Sequence, residues 1–260
     1  MKKIILSLSL IFCTNIFGAK IVFDLGGVIL NTTSLAAMPS IVYNLGMYNI
    51  FNYSIHNPFN HPEERIFAFE DLVYNKKDAE SLWLKGQITS EEFYAKLIAA
   101  SNDPKYSSFF RNESERNFLR ASFKFLLPQK LCNVINITFK SYTVIKQCLL
   151  EGHEIFVLSN WDPESFPLVR KKCSRIFDLF PPDNIYISGD LNHCKPYKNI
   201  YKCLIKNNNP KDYYFIDDTE KNLEVPMEIG MNTIHHTDWK STIKKMQELG
   251  LLRDCKPFKN

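Results

Sequence analysis

The chain has 260 residues, 45% hydrophobic and 23% charged, with a formal net charge of +4. That length buries a sizeable core, and the composition is ordinary for a globular protein. Both signs of charge are spread along the sequence without a basic stripe, so no nucleic-acid partner is expected.

The first segment reads as a leader. Lys2 and Lys3 precede an apolar run from Ile4 to Phe12, followed by Cys13-Thr14-Asn15 and then Ala19. A basic start, a short apolar stretch and a small residue describe a secretory signal peptide, here residues 1–19. The run is too short to cross a bilayer, which takes about 20 apolar residues. The expectation is an exported protein, periplasmic or secreted, with no stable membrane span once the leader is removed; the alternative is a cytoplasmic protein. Beyond Cys13 lie Cys132, Cys148, Cys173, Cys194, Cys203 and Cys255, with no C-x-x-C pair and no zinc-ligand spacing. Export permits disulfides among them, and free core thiols are equally compatible.

From Lys20 the sequence reads as a short apolar strand interrupted by Gly26 and Gly27. Residues 33–129 lack β-branched runs and offer helices over Ser34–Leu45, Glu63–Tyr74 and Thr89–Ala100; Thr89 with Glu92 forms a capping box. A helix over Phe139–Leu150 stops at Gly152. Apolar runs then recur at Glu154–Leu158, Asn184–Ser188, Tyr213–Ile216 and Met231–Ile234, separated by helical stretches at Glu164–Ile176, Tyr197–Lys206 and Lys221–Ile229. Short, nearly continuous apolar strands alternating with helices predict an α/β fold, a Rossmann-like parallel sheet with helices on both faces. Residues 20–32 and 130–260 would form this core, and 33–129 a helical cap domain inserted after the first strand.

In such sheets chemistry gathers at the carboxyl ends of the strands. Asp24, Ser159-Asn160 and Asp217-Asp218 each follow a predicted strand, and Lys195-Pro196 lies in the loop after another. In that order, Phe23-Asp24-Leu25-Gly26-Gly27-Val28, Leu158-Ser159-Asn160, Lys195-Pro196 and Phe215-Ile216-Asp217-Asp218 with Asn222 resemble the four motifs of the haloacid dehalogenase (HAD) superfamily. The resemblance covers about Lys20–Leu30 and Phe139–His235, and Gly86–Phe93 is similar to a cap segment of these proteins. It implies a phosphohydrolase with Asp24 as nucleophile, acting on small phosphorylated metabolites, sugar phosphates among them. Ser159, Asn160 and Lys195 would bind the substrate, and Mg²⁺ would be held by Asp24, the Gly26 carbonyl, Asp218 and Asp217.

Physical chemistry points the same way. A carboxylate approaching a phosphate dianion meets repulsion of about 4 kcal/mol per unit-charge pair at about 4 Å and an effective dielectric near 20. A site using Asp24 as nucleophile must therefore import positive charge, from a cation on the aspartates and from Lys195. Covalent transfer to Asp24 followed by attack of water divides one difficult step into two.

Gly26 departs from the motif, which carries a second aspartate there as general acid and base. That group contributes about 10²–10⁴-fold in rate, so its absence favours substrates with good leaving groups. Two alternatives stay open: a metal-independent hydrolase acting on carbon, like the superfamily's dehalogenases, or a weakly catalytic binding protein. Trp161 and Asp162 are expected to border the substrate, and His235-His236 to be structural.

Overall fold

Residues Lys20–Phe23 form β1, whose Ile21, Val22 and Phe23 are completely buried. The computed structural model describes residues 18–32, 62–74 and 82–253. The predicted leader, the helix at Ser34–Leu45 and Cys255 lie wholly or largely outside these residues. Ala19, the expected cleavage point, is buried, and its carbonyl accepts from Glu154 N–H at 3.0 Å. A cut after it would remove one bond from the start of the β1–β4 pairing.

The elements follow in chain order. After β1 come β2 (Leu30–Thr32), α1 (Pro62–Tyr74), α2 (Ser90–Asn102), α3 (Glu113–Ser122), α4 (Pro128–Val134) and β3 (Ile135–Ile137). Then α5 (Phe139–Leu150), β4 (Glu154–Ser159), α6 (Phe166–Lys172), α7 (Ser174–Phe177), β5 (Ile185–Ile187) and α8 (Ser188–Leu191). The described residues end with α9 (Lys198–Ile205), β6 (Tyr213–Asp217), α10 (Lys221–Glu228), β7 (Asn232–His235) and α11 (Trp239–Glu248). The single helix expected over Glu164–Ile176 is two, broken at Cys173.

Five strands form a parallel sheet in the order β5-β4-β1-β6-β7. Because strand side chains alternate, β1 feeds two cores. Ile21 and Phe23 join a cluster with Ile145, Val157, Val169 and Ile216 on one face, while Val22 joins Leu158, Ile200, Tyr201 and Phe215 on the other. Each fully buried side chain of this kind contributes about 1.5–3 kcal/mol, so β1 is fixed firmly at the centre. This is the expected parallel α/β sheet, flanked by helices.

The insert leaves and returns through adjacent strands. β2 and β3 pair antiparallel, with Leu30 opposite Ile137 and Thr32 opposite Ile135. Lys172 Nζ closes this junction by donating to the carbonyls of Cys132, Asn133 and Ile135 at 2.8, 3.0 and 2.7 Å. Within the insert, Phe69, Trp83, Phe93, Leu97, Leu119 and Phe123 pack into a separate apolar cluster. The capping box at the start of α2 forms as expected: Thr89 Oγ1 accepts from Glu92 N–H at 3.1 Å, and Glu92 Oε2 accepts from Thr89 N–H at 2.8 Å.

Candidate active site

Asp24 follows β1 directly, Ser159 is the last residue of β4, and Asp217 the last of β6. These three strands are neighbours with β1 in the middle, so their carboxyl ends bring the three side chains to one place. Lys195 arrives from the segment after α8 and reaches Asp24 Oδ1 at 2.9 Å and Asp217 Oδ2 at 2.6 Å. Asp24 Oδ1 also accepts from Leu25 N–H at 2.7 Å, and the nearby Ser159 hydroxyl favours the ionised carboxylate. All four side chains are nearly or wholly buried.

The electrostatics follow from that burial. Loss of hydration pushes the Asp24 carboxyl up to about 7, against the opposing pull of Lys195 and with the help of Asp217. Burial by itself would lower the Lys195 ammonium; Asp217 and Asp24 outweigh it and hold the group above its ordinary value. Asp218 is raised by burial and then by Asp217. With the carboxylates ionised, Asp24, Asp217 and Asp218 carry three negative charges against the single charge of Lys195. A divalent cation would balance the remainder.

The donor set fits such a cation. Asp24, Asp217 and Asp218 each offer a carboxylate oxygen, all within 4.8 Å of one another. Magnesium places its ligands at about 2.0–2.1 Å in an octahedron, which sets them about 3–4 Å apart, a contraction that side-chain rotation supplies. Asp217 is the most committed of the three: Oδ1 accepts from Thr219 N–H at 2.8 Å and from Asn222 Nδ2 at 3.1 Å, while Oδ2 takes Lys195. Asp24 and Asp218 are therefore the better placed to turn towards an ion.

The two glycines after Asp24 have different work. Gly27 holds φ at +71°, and a Cβ there would fall 2.0 Å from Asp218 Oδ2. Only glycine permits both the left-handed turn and the close approach of Asp218. Gly26 has no such φ, and a Cβ there would meet nothing within 4 Å. It is exposed, and its carbonyl lies two residues from Asp24, where the resemblance would have it face a metal.

Asn160 does something the sequence did not suggest. Its Nδ2 donates to the Lys195 carbonyl at 3.0 Å, and its Oδ1 accepts from Lys195 N–H at 2.7 Å. In this arrangement its amide holds the lysine's backbone. Trp161 and Asp162, expected beside the substrate, are instead buried and structural. The Trp161 indole donates to Ser165 Oγ at 2.8 Å, and the Asp162 carboxylate accepts from Ser165 N–H at 2.8 Å and from the Ser165 hydroxyl.

The loop after β4 meets the insert. Ser188 Oγ donates to the Leu84 carbonyl at 2.6 Å and accepts from Trp161 N–H at 2.8 Å. Ser90 N–H donates to Glu164 Oε2 at 2.6 Å, and Gln87 Nε2 to Asn192 Oδ1 at 2.8 Å. Gly86, at φ +68°, packs so tightly that a Cβ would lie 2.9 Å from Pro163. The segment Gly86–Phe93 thus docks beside the loop that follows Ser159.

The histidines behave as expected. His236 is buried, with Nδ1 bonded to Thr242 Oγ1 at 2.8 Å and its ring against Trp239; His235 Nε2 bonds the Asp218 carbonyl at 3.0 Å. The five cysteines among the described residues are free thiols, and all but Cys203 are buried.

No protein-family model matches the chain, and no curated protein sequence matches it. Solved structures do. A HAD family enzyme from Bacteroides thetaiotaomicron aligns with a TM-score of 0.53 at 20% identity, over 87% of this chain and 98% of its own. The chain has the HAD fold. A predicted HAD-like family hydrolase from Porphyromonas gingivalis gives a TM-score of 0.53 at 19% identity, over 92% of this chain and 100% of its own. A dehalogenase structure aligns at 0.50 and 17% identity, over 85% of each chain. Within that fold Asp24, Ser159 and Asp217 stand at the carboxyl ends of neighbouring strands, and Lys195 reaches two of them from the segment after α8.

Proposed function

We propose that this chain is a Mg²⁺-dependent phosphohydrolase acting on small phosphorylated metabolites through an aspartyl-phosphate. The observation that carries the reading is the cluster itself: Lys195 within 2.9 Å of the buried Asp24 carboxylate, with buried Asp217 and exposed Asp218 completing a cation-binding set. The HAD family enzyme from Bacteroides thetaiotaomicron has been crystallised with magnesium and inorganic phosphate, which supports both the cofactor and the class of ligand.

In this reading Asp24 attacks phosphorus, the new Oδ–P bond forming as the bond to the leaving oxygen breaks. Lys195 holds the attacking carboxylate in place and draws negative charge from the phosphoryl oxygens. Ser159 offers its hydroxyl to those same oxygens. Water then attacks the phosphorus of the aspartyl-phosphate, releasing inorganic phosphate and restoring Asp24. Bound magnesium would supply the positive charge that lets a carboxylate meet a phosphate dianion. With no carboxyl at residue 26, the leaving group departs best as a stable anion, so aryl, acyl and anomeric sugar phosphates are the preferred substrates.

Gly26 and the dehalogenase neighbour favour a second reading, metal-independent hydrolysis at carbon. Asp217 and Asp218 argue against it, since that chemistry needs no cation. Purified protein incubated with an aryl phosphate separates the two. The phosphohydrolase releases phosphate with Mg²⁺ and stops with a chelator; halide release from a 2-haloacid in the presence of chelator would establish the other.

A further inference from the structure

We infer that Tyr201 is a positioning residue for the Lys195–Asp217 pair, acting through Asn222; the inference rests on the phosphohydrolase reading of this site. Pro226 lies inside α10 and has no N–H, so the carbonyl of Asn222, four residues earlier, lacks its regular helical donor. The Tyr201 hydroxyl, from α9, fills that role at 2.8 Å.

Tyr201 is fully buried, and its ring meets Phe215 edge-on with centroids 6.0 Å apart. Lys195 Nζ lies 5.5 Å from the centre of the same Phe215 ring. Asn222 in turn donates from Nδ2 to both oxygens of Asp217, at 3.1 and 3.3 Å. Asp217 holds Lys195 at 2.6 Å, and Lys195 holds Asp24 at 2.9 Å.

An unbroken chain of contacts therefore runs from the buried hydroxyl to the nucleophile. A part-buried carbonyl left without its donor is costly. Asn222 is thus fixed where Tyr201 meets it. Its backbone is anchored by one neighbour and its side chain orients another. Moving the first turn of α10 would withdraw the amide from Asp217 and let the Lys195 ammonium drift from Asp24. Tyr201 touches no reacting atom; it acts through Asn222.

The test uses the proline. Tyr201→Phe keeps the ring against Phe215 and removes only the hydroxyl. On an aryl phosphate with Mg²⁺, kcat should fall by about 10–100-fold, the scale of a misplaced catalytic group, with KM little changed. In Tyr201→Phe/Pro226→Ala, residue 226 regains an N–H that can donate to the Asn222 carbonyl, and kcat should recover towards that of Pro226→Ala alone. Unchanged kcat per folded molecule in Tyr201→Phe, with only a lowered Tm, would overturn the inference. So would a double variant no better than Tyr201→Phe. A crystal structure of Tyr201→Phe reads the same point without chemistry: Asn222 should leave Asp217, and an unmoved amide overturns the inference. If the wild-type protein releases no phosphate, the proposed function fails, and the crystallographic result alone judges Tyr201.

Discussion

Asn160 grips Lys195 by the backbone at both ends, accepting from its N–H at 2.7 Å and donating to its carbonyl at 3.0 Å. The ammonium that meets Asp24 is thus aimed from two directions: its main chain by an asparagine at the end of β4, its tip by Asp217. Asn160→Ala removes both backbone bonds. The expected result is a loss of kcat of about 10–100-fold. Asn160→Asp keeps the acceptor for the Lys195 N–H and should lose less. Steady-state kinetics on an aryl phosphate check this; equal losses in the two variants would show that the Lys195 carbonyl bond carries the effect.

Asp24→Asn should abolish turnover and, in metal-free protein, raise stability at alkaline pH. Burial lifts the Asp24 carboxyl from 3.8 to about 7. Between those values the folded state binds more protons than the unfolded state, so stability falls as pH rises through the window. The neutral amide escapes that loss. The variant should melt above the wild type at pH above about 7, with the gap closing as pH falls towards about 4. Thermal melts in chelator across that range measure it, and a gap independent of pH would exclude a strained buried anion at residue 24.

The strand-end residues were legible in the sequence because burial on both faces produces continuous apolar runs, and Asp24, Ser159 and Asp217 end three of them. The short strands β2 and β3 were not. Three residues carry no period, and their pairing joins Leu30 to Ile137 across the whole insert. The break at Cys173 was hidden because α6 and α7 present apolar residues at spacings that one helix would also show. The role of Asn160 was invisible for another reason: a side-chain amide offers donor and acceptor alike, and only the fold decides what it faces. The same holds for Asn222 and Tyr201, although a proline four residues after Asn222 was a signal that its carbonyl needed an outside donor. Sequence alone also left open which of Gly26 and Gly27 needed a positive φ; the close approach of Asp218 assigns it to Gly27.

Magnesium should stabilise the folded chain by mass action, by about 2.7 kcal/mol when free ion exceeds its Kd about a hundredfold. The Tm should rise on titration with Mg²⁺ and return on chelation. Asp218→Ala takes one carboxylate from the set and should lose most of the shift and lower activity by orders of magnitude. A full Tm shift in that variant would move the ion away from Asp218.

His236 gives a stability change at mildly acid pH that is separate from the active-site carboxylates. Burial, with His235 adding to it and Asp238 opposing, holds His236 below 6.5. The unfolded chain takes up a proton at that residue before the folded chain does. Stability from His236 is therefore complete above about 6.5 and is lost as pH falls from there through the folded value. Asp24 acts with the opposite sign over part of this range, so the readout is the difference between wild type and His236→Gln. Gln should melt lower at pH 8 and lose less on acidification to pH 5; parallel curves would rule out His236 as the cause.

Gly26→Asp tests the reaction most sharply, and the backbone allows it. The residue has no positive φ, and a new Cβ would meet nothing within 4 Å, so the side chain enters without strain at the turn. Its carboxyl would stand two residues after the nucleophile, at the mouth of the site. If leaving-group protonation limits the wild-type enzyme, the gain depends on the leaving group. Aryl phosphates expel a stable anion and should gain little; alkyl phosphates need a proton and should gain up to about 10²–10⁴-fold. A plot of log kcat/KM against leaving-group pKa should fall steeply for the wild type and be flatter for the variant. Equal slopes in a variant that melts normally would mean that protonation of the leaving oxygen is not the barrier at this site. The donor would then have to be sought in water, or in a residue brought over the site by the insert.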